Sequence, residues 1–305
     1  MADVIGIGAS VYDTLMLSAA FPQEDSKLQA TQTMIQGGGP CATALVAASR
    51  LGVSAEYLGT MGDDTYGQYM LQDFAKYGVE TRRIVLKPGC TSFHSFVLLN
   101  TARSTRTCVW NKGTLPAPMP VEIDLDAIAQ AKVLHLDGHH LEAAIHAARF
   151  ARAHGVKVSL DAGGTYPGIE RLLPFVDFLI ASEEFARKLT AQSDAETAAA
   201  MLRAQYKPQV LAVTQGSRGC LLWQDGGLRR IPAFPVDVVD SCGAGDVFHG
   251  AFVAGYLRGC GDFAACAEFA SAVSAMNCTH FGARDGVPSY EDAQAFLRQR
   301  KSLQV

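Results

Sequence analysis

Residues 132–162 read KVLHLDGHHLEAAIHAARFARAHGVKVSLDA. A short apolar run, KVLHLDG, is followed by an alanine-rich amphipathic segment, LEAAIHAARFARAHG, and then by a second short apolar run, VKVSLDA. This is the pattern of a strand, a crossover helix and a parallel strand. The same alternation continues on both sides. Downstream, VDFLIAS precedes the helical EEFARKLTA, and AETAAAMLRAQY precedes PQVLAVTQG; YPGIERLLPF reads as one more helix. Upstream, DVIGIGAS is a first strand, GGPCATALVAASRLG a helix ended by Gly52, AEYLGTMG a strand, and TYGQYMLQDFAKYG a helix ended by Gly78. Three helices, over 244–259, 262–278 and 289–300, close the chain. The expectation is an α/β fold with a central, mostly parallel sheet covered by helices on both faces.

Two stretches break the rhythm. Residues 13–36 and 90–112 read as strand pairs without crossover helices, and SFHSFVLL and TRTCVW, separated by NTARS, read as a hairpin. They form one small sheet standing off a single domain of residues 1–305, as a lid, a dimerisation surface, or both.

The 305 residues are 49% hydrophobic and 18% charged, so the chain can bury a large core. A net charge of −4 without blocks of like charge argues against a nucleic-acid or membrane surface. Eight cysteines, none in a C-x-x-C pair, read as buried thiols of a cytoplasmic protein rather than a disulfide framework. MADVIGIGAS reads as a strand, not a signal peptide.

The chemistry concentrates in VVDSCGAGDVFHGAFVAGYLRG, residues 238–259: a strand end, a glycine-rich turn and a helix. A helix start offers unpaired N–H groups and the positive end of a dipole, and Gly243, Ala244 and Gly245 are small enough to let a phosphate reach them. Asp246 beside that anion is poorly placed for binding it. It is well placed to take a proton from an attacking hydroxyl; the alternative is an early helix residue favoured by the dipole. His249, three residues on, reads as a packed histidine. No GK dipeptide is present, which excludes the P-loop, and Val11 spoils the dinucleotide fingerprint that GIGASV begins.

DSCGAGDVFHGAF resembles the C-terminal signature of the ribokinase-like (PfkB) carbohydrate kinases, and GGGPCATALVAASRLG their N-terminal glycine-rich signature. VTQGSRGC resembles their T-x-G-x-x-G segment, and CTHFGARDGVPS the segment near the adenine pocket. Four matches in family order span nearly the whole chain. The resemblance implies a ribokinase-like three-layer sandwich with a β-sheet lid, and an ATP-dependent kinase acting on a hydroxyl of a sugar or sugar derivative. It implies Asp246 as catalytic base, with the 243–245 backbone as anion hole. Thr214, Gly216, Gly219 and Asn277 would meet the nucleotide. Asp13, Lys27, Gly38, Gly39 and Asn111 would meet the sugar, although Asp13 also fits a turn aspartate at the lid hinge. Mg²⁺ is implied with ATP, and K⁺ through Asp240, which also fits a strand-end cap. A homodimer through the lid is expected.

Departures from the family pattern bear on the substrate and the metal. SEEF, residues 182–185, stands where an N-x-x-E motif is usual, leaving Glu183 as the metal candidate or as a solvated helix start. Pro40 and Thr43 stand where ribose-type members carry Lys and Asn, which argues against plain ribose, since a hydroxyl cannot make the paired contacts of an amide. Lys27, Arg103, Arg106, Asn111 and Lys112 sit in or beside the lid. Turned inward they would hold a phosphorylated or sulfonated ketose, as in the branch that includes sulfofructose kinases; turned outward they solvate an edge strand. His139 and His140 can face the sugar, and Arg284 can reach the nucleotide or a phosphate. A nucleoside kinase, favoured by Phe93, Phe96 and Trp110, and a non-catalytic sugar sensor are the alternatives.

Overall fold

In the computed structural model, which describes residues 1–103, 105–224 and 227–302, the short apolar runs lie side by side in one sheet. From edge to edge its order is Gly227–Ile231, Cys220–Gln224, Val210–Thr214, Phe178–Ser182, Lys157–Ala162, Val133–Leu136, Val4–Ile7, Ala55–Tyr57 and Val79–Glu80. All neighbours from Val210–Thr214 to Val79–Glu80 are parallel. Side chains alternate across a strand, so successive residues feed opposite cores. Phe178, Ile180, Val210 and Ala212 enter one; Leu179, Ala181, Leu211 and Val213 enter the other. The first core is closed by helices Pro40–Arg50, Thr65–Lys76, Ala244–Leu257, Phe263–Asn277 and Tyr290–Ser302. The second is closed by Leu125–Ala129, Leu141–Ala153, Glu183–Thr190 and Ala195–Tyr206. The result is the expected helix–sheet–helix sandwich. Phe178, fully buried, stacks edge-on against Phe252, Tyr256 and Phe263. One such ring contributes about 1.5–3 kcal/mol.

Three elements differ from the sequence expectation. Cys220–Gln224 and Gly227–Ile231 form an antiparallel edge that the helix–strand alternation did not suggest. The chain reverses there at Gly219, whose φ of 86° suits glycine and where a Cβ would stand 2.0 Å from the Ile231 carbonyl oxygen. YPGIERLLPF forms two single 3₁₀ turns, Ile169–Arg171 and Leu173–Phe175, rather than a helix. Pro174 has no N–H with which to continue one. AEYLGTMG divides, and its second half, Thr60–Gly62, pairs with Val85–Lys87 in a separate ribbon.

The irregular stretches supply a second sheet, ordered Gln32–Gly38, Val11–Ser18, His94–Asn100 and Thr105–Asn111. Its register sorts the side chains into rows. Gln36, Asp13, Ser95 and Trp110 are cross-strand partners in one row, and Met34, Leu15, Val97 and Cys108 form another row of the same parity. Ile35, Thr14, Phe96 and Val109 form a row of the opposite parity.

Strand order in the main sheet runs away from Val4–Ile7 in both directions, which opens a crevice at the carboxyl ends of the strands. Asp137 fastens its floor: Oδ2 accepts from the N–H groups of Ala9 (2.7 Å) and Cys41 (3.1 Å), and Oδ1 from that of His139 (3.0 Å). Burial raises the proton affinity of this carboxyl, but His139 and these donors outweigh it and hold the pKa at about 2.

Candidate active site

The glycine-rich turn stands at the mouth of that crevice. Gly243 caps the helix Ala244–Leu257 with φ 70° and ψ 0°. Only glycine fits there, because a Cβ would meet the Ala283 side chain at 2.6 Å. Asp240 holds the turn in place: Oδ1 accepts the Cys242 N–H (2.8 Å) and Oδ2 the Gly282 N–H (3.1 Å). The Ala244 N–H leans on the Ser241 carbonyl at 3.3 Å, and its carbonyl takes the Ser274 hydroxyl at 2.8 Å. A Cβ on Gly245 would touch nothing within 4 Å, so its backbone faces open space.

Two cavities meet at this turn. The smaller, about 340 Å³, is roofed by the second sheet, and its walls include Asp13, Gln36, Ser95, Trp110, Gly38, Gly39, Thr43 and Asp246. The larger, about 800 Å³, lies against Thr214, Gly216, Gly219, Phe234, Val236 and Phe248. Arg106, Ser241, Ala244 and Gly245 line both. One wall is polyhydroxylic and carboxylate-bearing, the other largely apolar, and backbone amides lie between.

Within the smaller cavity, Asp13 accepts the Ser95 hydroxyl at 2.6 Å. Burial pushes its pKa up to about 6, against the Ser95 hydrogen bond and the charge of Arg284. Gly38 is bare beneath it: a Cβ there would fall 1.8 Å from Asp13 Oδ2. Arg284 is turned into the protein. It donates from Nε to Thr43 Oγ1 (3.2 Å), from Nη2 to the Gly38 carbonyl (2.9 Å), and from Nη1 to Asp73. Its guanidinium is therefore spent on the glycine strand and does not reach the nucleotide side. Gln36 Oε1 accepts the Ala283 N–H at 2.9 Å, a second tie between lid strand and tail.

Asp246 lies half-buried in the cavity wall, three residues before His249 on the same helix. Burial raises its pKa well above the ordinary carboxylate range. The Asp161 carboxylate adds to this, with a smaller push from Asp137, while His249 and Arg284 oppose it. His249 Nε2 is 3.1 Å from Asp161 Oδ1, and both side chains are buried. Asp161, at the end of its strand, was not singled out from the sequence.

Several expected site residues lie elsewhere. Asn111 has the opposite parity to Trp110, points away from the cavity and takes the Gly113 N–H on Oδ1 (2.8 Å). Lys27 is exposed in the connection after Val11–Ser18 and lines neither cavity. Asn277 is buried behind the larger cavity, where Nδ2 donates to the Ala283 carbonyl (3.2 Å). His139 packs on Tyr166 with its Nδ1 3.3 Å from Asp137 Oδ1, and burial lowers the pKa of His140 to about 4. Glu183 is paired with Arg218, and with Arg187 at 4.0 Å. Among the described residues no cluster of three His, Cys, Asp or Glu could hold a metal. A magnesium ion held by one or two carboxylates together with the nucleotide's phosphates needs no such cluster.

Known proteins share the family signature and the fold of this chain. The sequence profile of the pfkB family carbohydrate kinases matches residues 1–289. The ATP-dependent ribose-1-phosphate kinase of Halopiger xanaduensis is 29% identical, with 98% of this chain and 99% of that protein aligned. The deoxyribokinase of Salmonella typhi is also 29% identical, over 97% and 98%. Among solved structures, a candidate ribokinase from Agrobacterium tumefaciens superposes with a TM-score of 0.90 at 29% identity, covering 99% of both chains. Arabidopsis thaliana ribokinase, solved with ribose and ATP, gives 0.85 at 22% identity, covering 97% and 99%. A candidate ribokinase II from E. coli, solved with ATP and Mg²⁺, gives 0.84 at 21% identity, covering 98% and 100%.

Proposed function

The chain belongs to the pfkB family of carbohydrate kinases and is an ATP-dependent phosphotransferase, and from that premise we propose its reaction: transfer of the γ-phosphoryl group of ATP to a hydroxyl of a neutral sugar, with Asp246 as general base. The observation that carries this reading is the meeting of the two cavities at the 241–245 turn, with Asp246 on the smaller side. The acceptor sugar occupies the smaller cavity and the nucleotide the larger. Asp246 takes the proton of the hydroxyl as its oxygen attacks the γ-phosphorus, the bond to the β,γ-bridging oxygen breaks, and ADP departs. Backbone N–H groups of Gly243 and Gly245 donate to the phosphoryl oxygens as charge shifts across them. A carboxylate whose proton affinity is raised is a stronger base for this step. Magnesium bound with the nucleotide would neutralise charge on its phosphates.

A neutral acceptor suits the lining. Asp13, Gln36, Ser95 and Thr43 offer paired donors and acceptors for hydroxyl groups. Lys27 and Arg103 line neither cavity, Arg284 is engaged by Asp73, and Arg106, which does line the smaller cavity, donates to Ser241 on the turn, so among the described residues the wall of Asp13, Gln36, Ser95 and Thr43 carries no cation for a phosphate or sulfonate. The Phe93–Trp110 ring contact, at 5.7 Å on the same wall, favours a nucleoside as the second reading. An intact base beside an open amide turn argues against a non-catalytic sensor. The eight free thiols suit a reducing cytoplasm, and among the described residues no helix is long and apolar enough to cross a membrane. The exposed outer face of the lid suits a homodimer.

Asp246→Asn tests the base. Nucleotide binding by calorimetry should be retained while phosphorylation falls at least ~10²–10⁴-fold, the usual share of general-base catalysis. Near-normal turnover would remove the mechanism. A panel of free ketoses and aldoses, their phosphorylated and sulfonated forms, and nucleosides, assayed by ADP release with ATP and magnesium, separates the substrate classes.

A further inference from the structure

We propose that Arg106 is a catalytic residue carried by the lid, placing its guanidinium on the phosphoryl group in flight; this rests on the phosphotransfer reading given above. Arg106 lies on Thr105–Asn111, the exposed edge strand of the second sheet. Residues 106, 108 and 110 share one parity, and all three line the smaller cavity. Arg106 also lines the larger one, and among the described residues no other Lys or Arg lines either. Its Nη1 donates to Ser241 Oγ at 3.2 Å. Ser241 opens the glycine-rich turn and itself lines both cavities.

The charge balance of the site makes this position consequential. Negative charge spreads over the migrating group and its leaving oxygen, while Asp246, Asp13 and Asp161 stand on or behind the same wall. The turn answers with backbone amides only. Glu183 and Asp240, the two metal candidates, are occupied by arginines and by main-chain N–H groups, respectively. A planar guanidinium donates two parallel hydrogen bonds to phosphate oxygens and keeps its charge at any working pH. Because the lid also bears Asp13 and Ser95, the sugar and the cation are held by one sheet. Sugar binding would then draw Arg106 onto the phosphoryl group, so that ATP without sugar meets an incomplete site. No covalent step involves the arginine.

The test uses the full chain and the variants Arg106→Gln and Arg106→Lys; the side chain is solvent-exposed on an edge strand, so both should fold. Each protein is titrated with ADP alone, and with ADP, magnesium and aluminium fluoride, a planar mimic of the transferred group, in the presence of D-ribose, D-fructose or adenosine. The wild type should bind the fluoride complex more tightly than ADP with at least one of these. Arg106→Gln should lose that gain by roughly 10²–10³-fold, the effect of deleting one transition-state donor, with ADP affinity unchanged. Arg106→Lys should recover part of it. Turnover should show the same loss in kcat. Either of two binding results would overturn the proposal, as would one kinetic result: the binding results are a gain preserved in Arg106→Gln, or one absent from the wild type. A rise in sugar KM at constant kcat would also overturn it, by making Arg106 a substrate-binding residue. None of these depends on Asp246, whose own variant tests the underlying mechanism.

Discussion

Asp246 is a carboxylate whose surroundings compete over its proton. Burial and the Asp161 charge favour the protonated form, while His249 and Arg284 favour the ionised one, with Asp137 adding to the first group. In the proposed role of base it must be ionised, so kcat/KM should rise with pH through a limb lying above the ordinary carboxylate range. His249→Gln keeps a donor near the Asp161 carboxylate but removes the imidazole, leaving Asp161 less compensated. The limb should move to higher pH, because His249 is among the groups that hold the Asp246 pKa down. Asp161→Asn removes a charge that raises the limb, which should then lie at or below its wild-type position. A pH–rate profile of the three proteins decides the matter, and a limb unmoved in His249→Gln would show that the pair has no hold on the base. At this scale the sequence was legible where the chemistry is local. The turn, the base and the following helix are contiguous, and so could be read together. Arg284 could not, because its partners Thr43, Gly38 and Asp73 are more than 200 residues away in the chain. Asp161 was hidden for the same reason: it looks like any aspartate ending a strand until a helix from the far end of the chain lays His249 beside it.

Among elements, the two-residue period of a strand separates the cavity-lining residues from their neighbours. The lid strands were visible as alternating stretches, but which parity faces inward depends on register, and register is set by pairing across the sheet. That is why Asn111 was expected in the site while Trp110 and Cys108 line it. Gly38 shows how tightly the strand Gln32–Gly38 must lie under Asp13. Gly38→Ala would place a methyl group on the Asp13 carboxylate, which the Ser95 hydroxyl and burial prevent from moving freely. If Asp13 holds a sugar hydroxyl, displacing it costs about 1.5–3 kcal/mol, the worth of a hydrogen bond to a charged group. Sugar KM should rise roughly 10–100-fold with ATP affinity unchanged. Equal losses for both substrates would instead indicate a disturbed fold. The antiparallel edge at Cys220–Ile231 escaped notice because a strand followed directly by a reversed strand has no helix between to mark it.

For the whole molecule, the sandwich follows from strand–helix alternation, whereas the second sheet leaves one of its faces exposed. Its outward row includes Ile35 at 47%, Phe96 at 54% and Val109 at 68% exposure, in cross-strand register through Thr14. Apolar cross-strand rows of this kind, flanked by two open edges, invite a partner sheet. Since each lid presents the same row, two copies can cover one another about a twofold axis. Sedimentation at micromolar concentration should give a dimer for the wild type and a monomer for Phe96→Asp; a monomeric wild type would dismiss the arrangement. The functional consequence separates this from simple stickiness. Ser95 lies one residue from Phe96 and faces inward to Asp13. A sheet stiffened by its partner holds that pair, and Arg106 beyond it, in place. The monomeric variant should therefore lose sugar affinity and kcat together, while ATP binding in the larger cavity, which has only Arg106 in common with the lid, stays near its wild-type value.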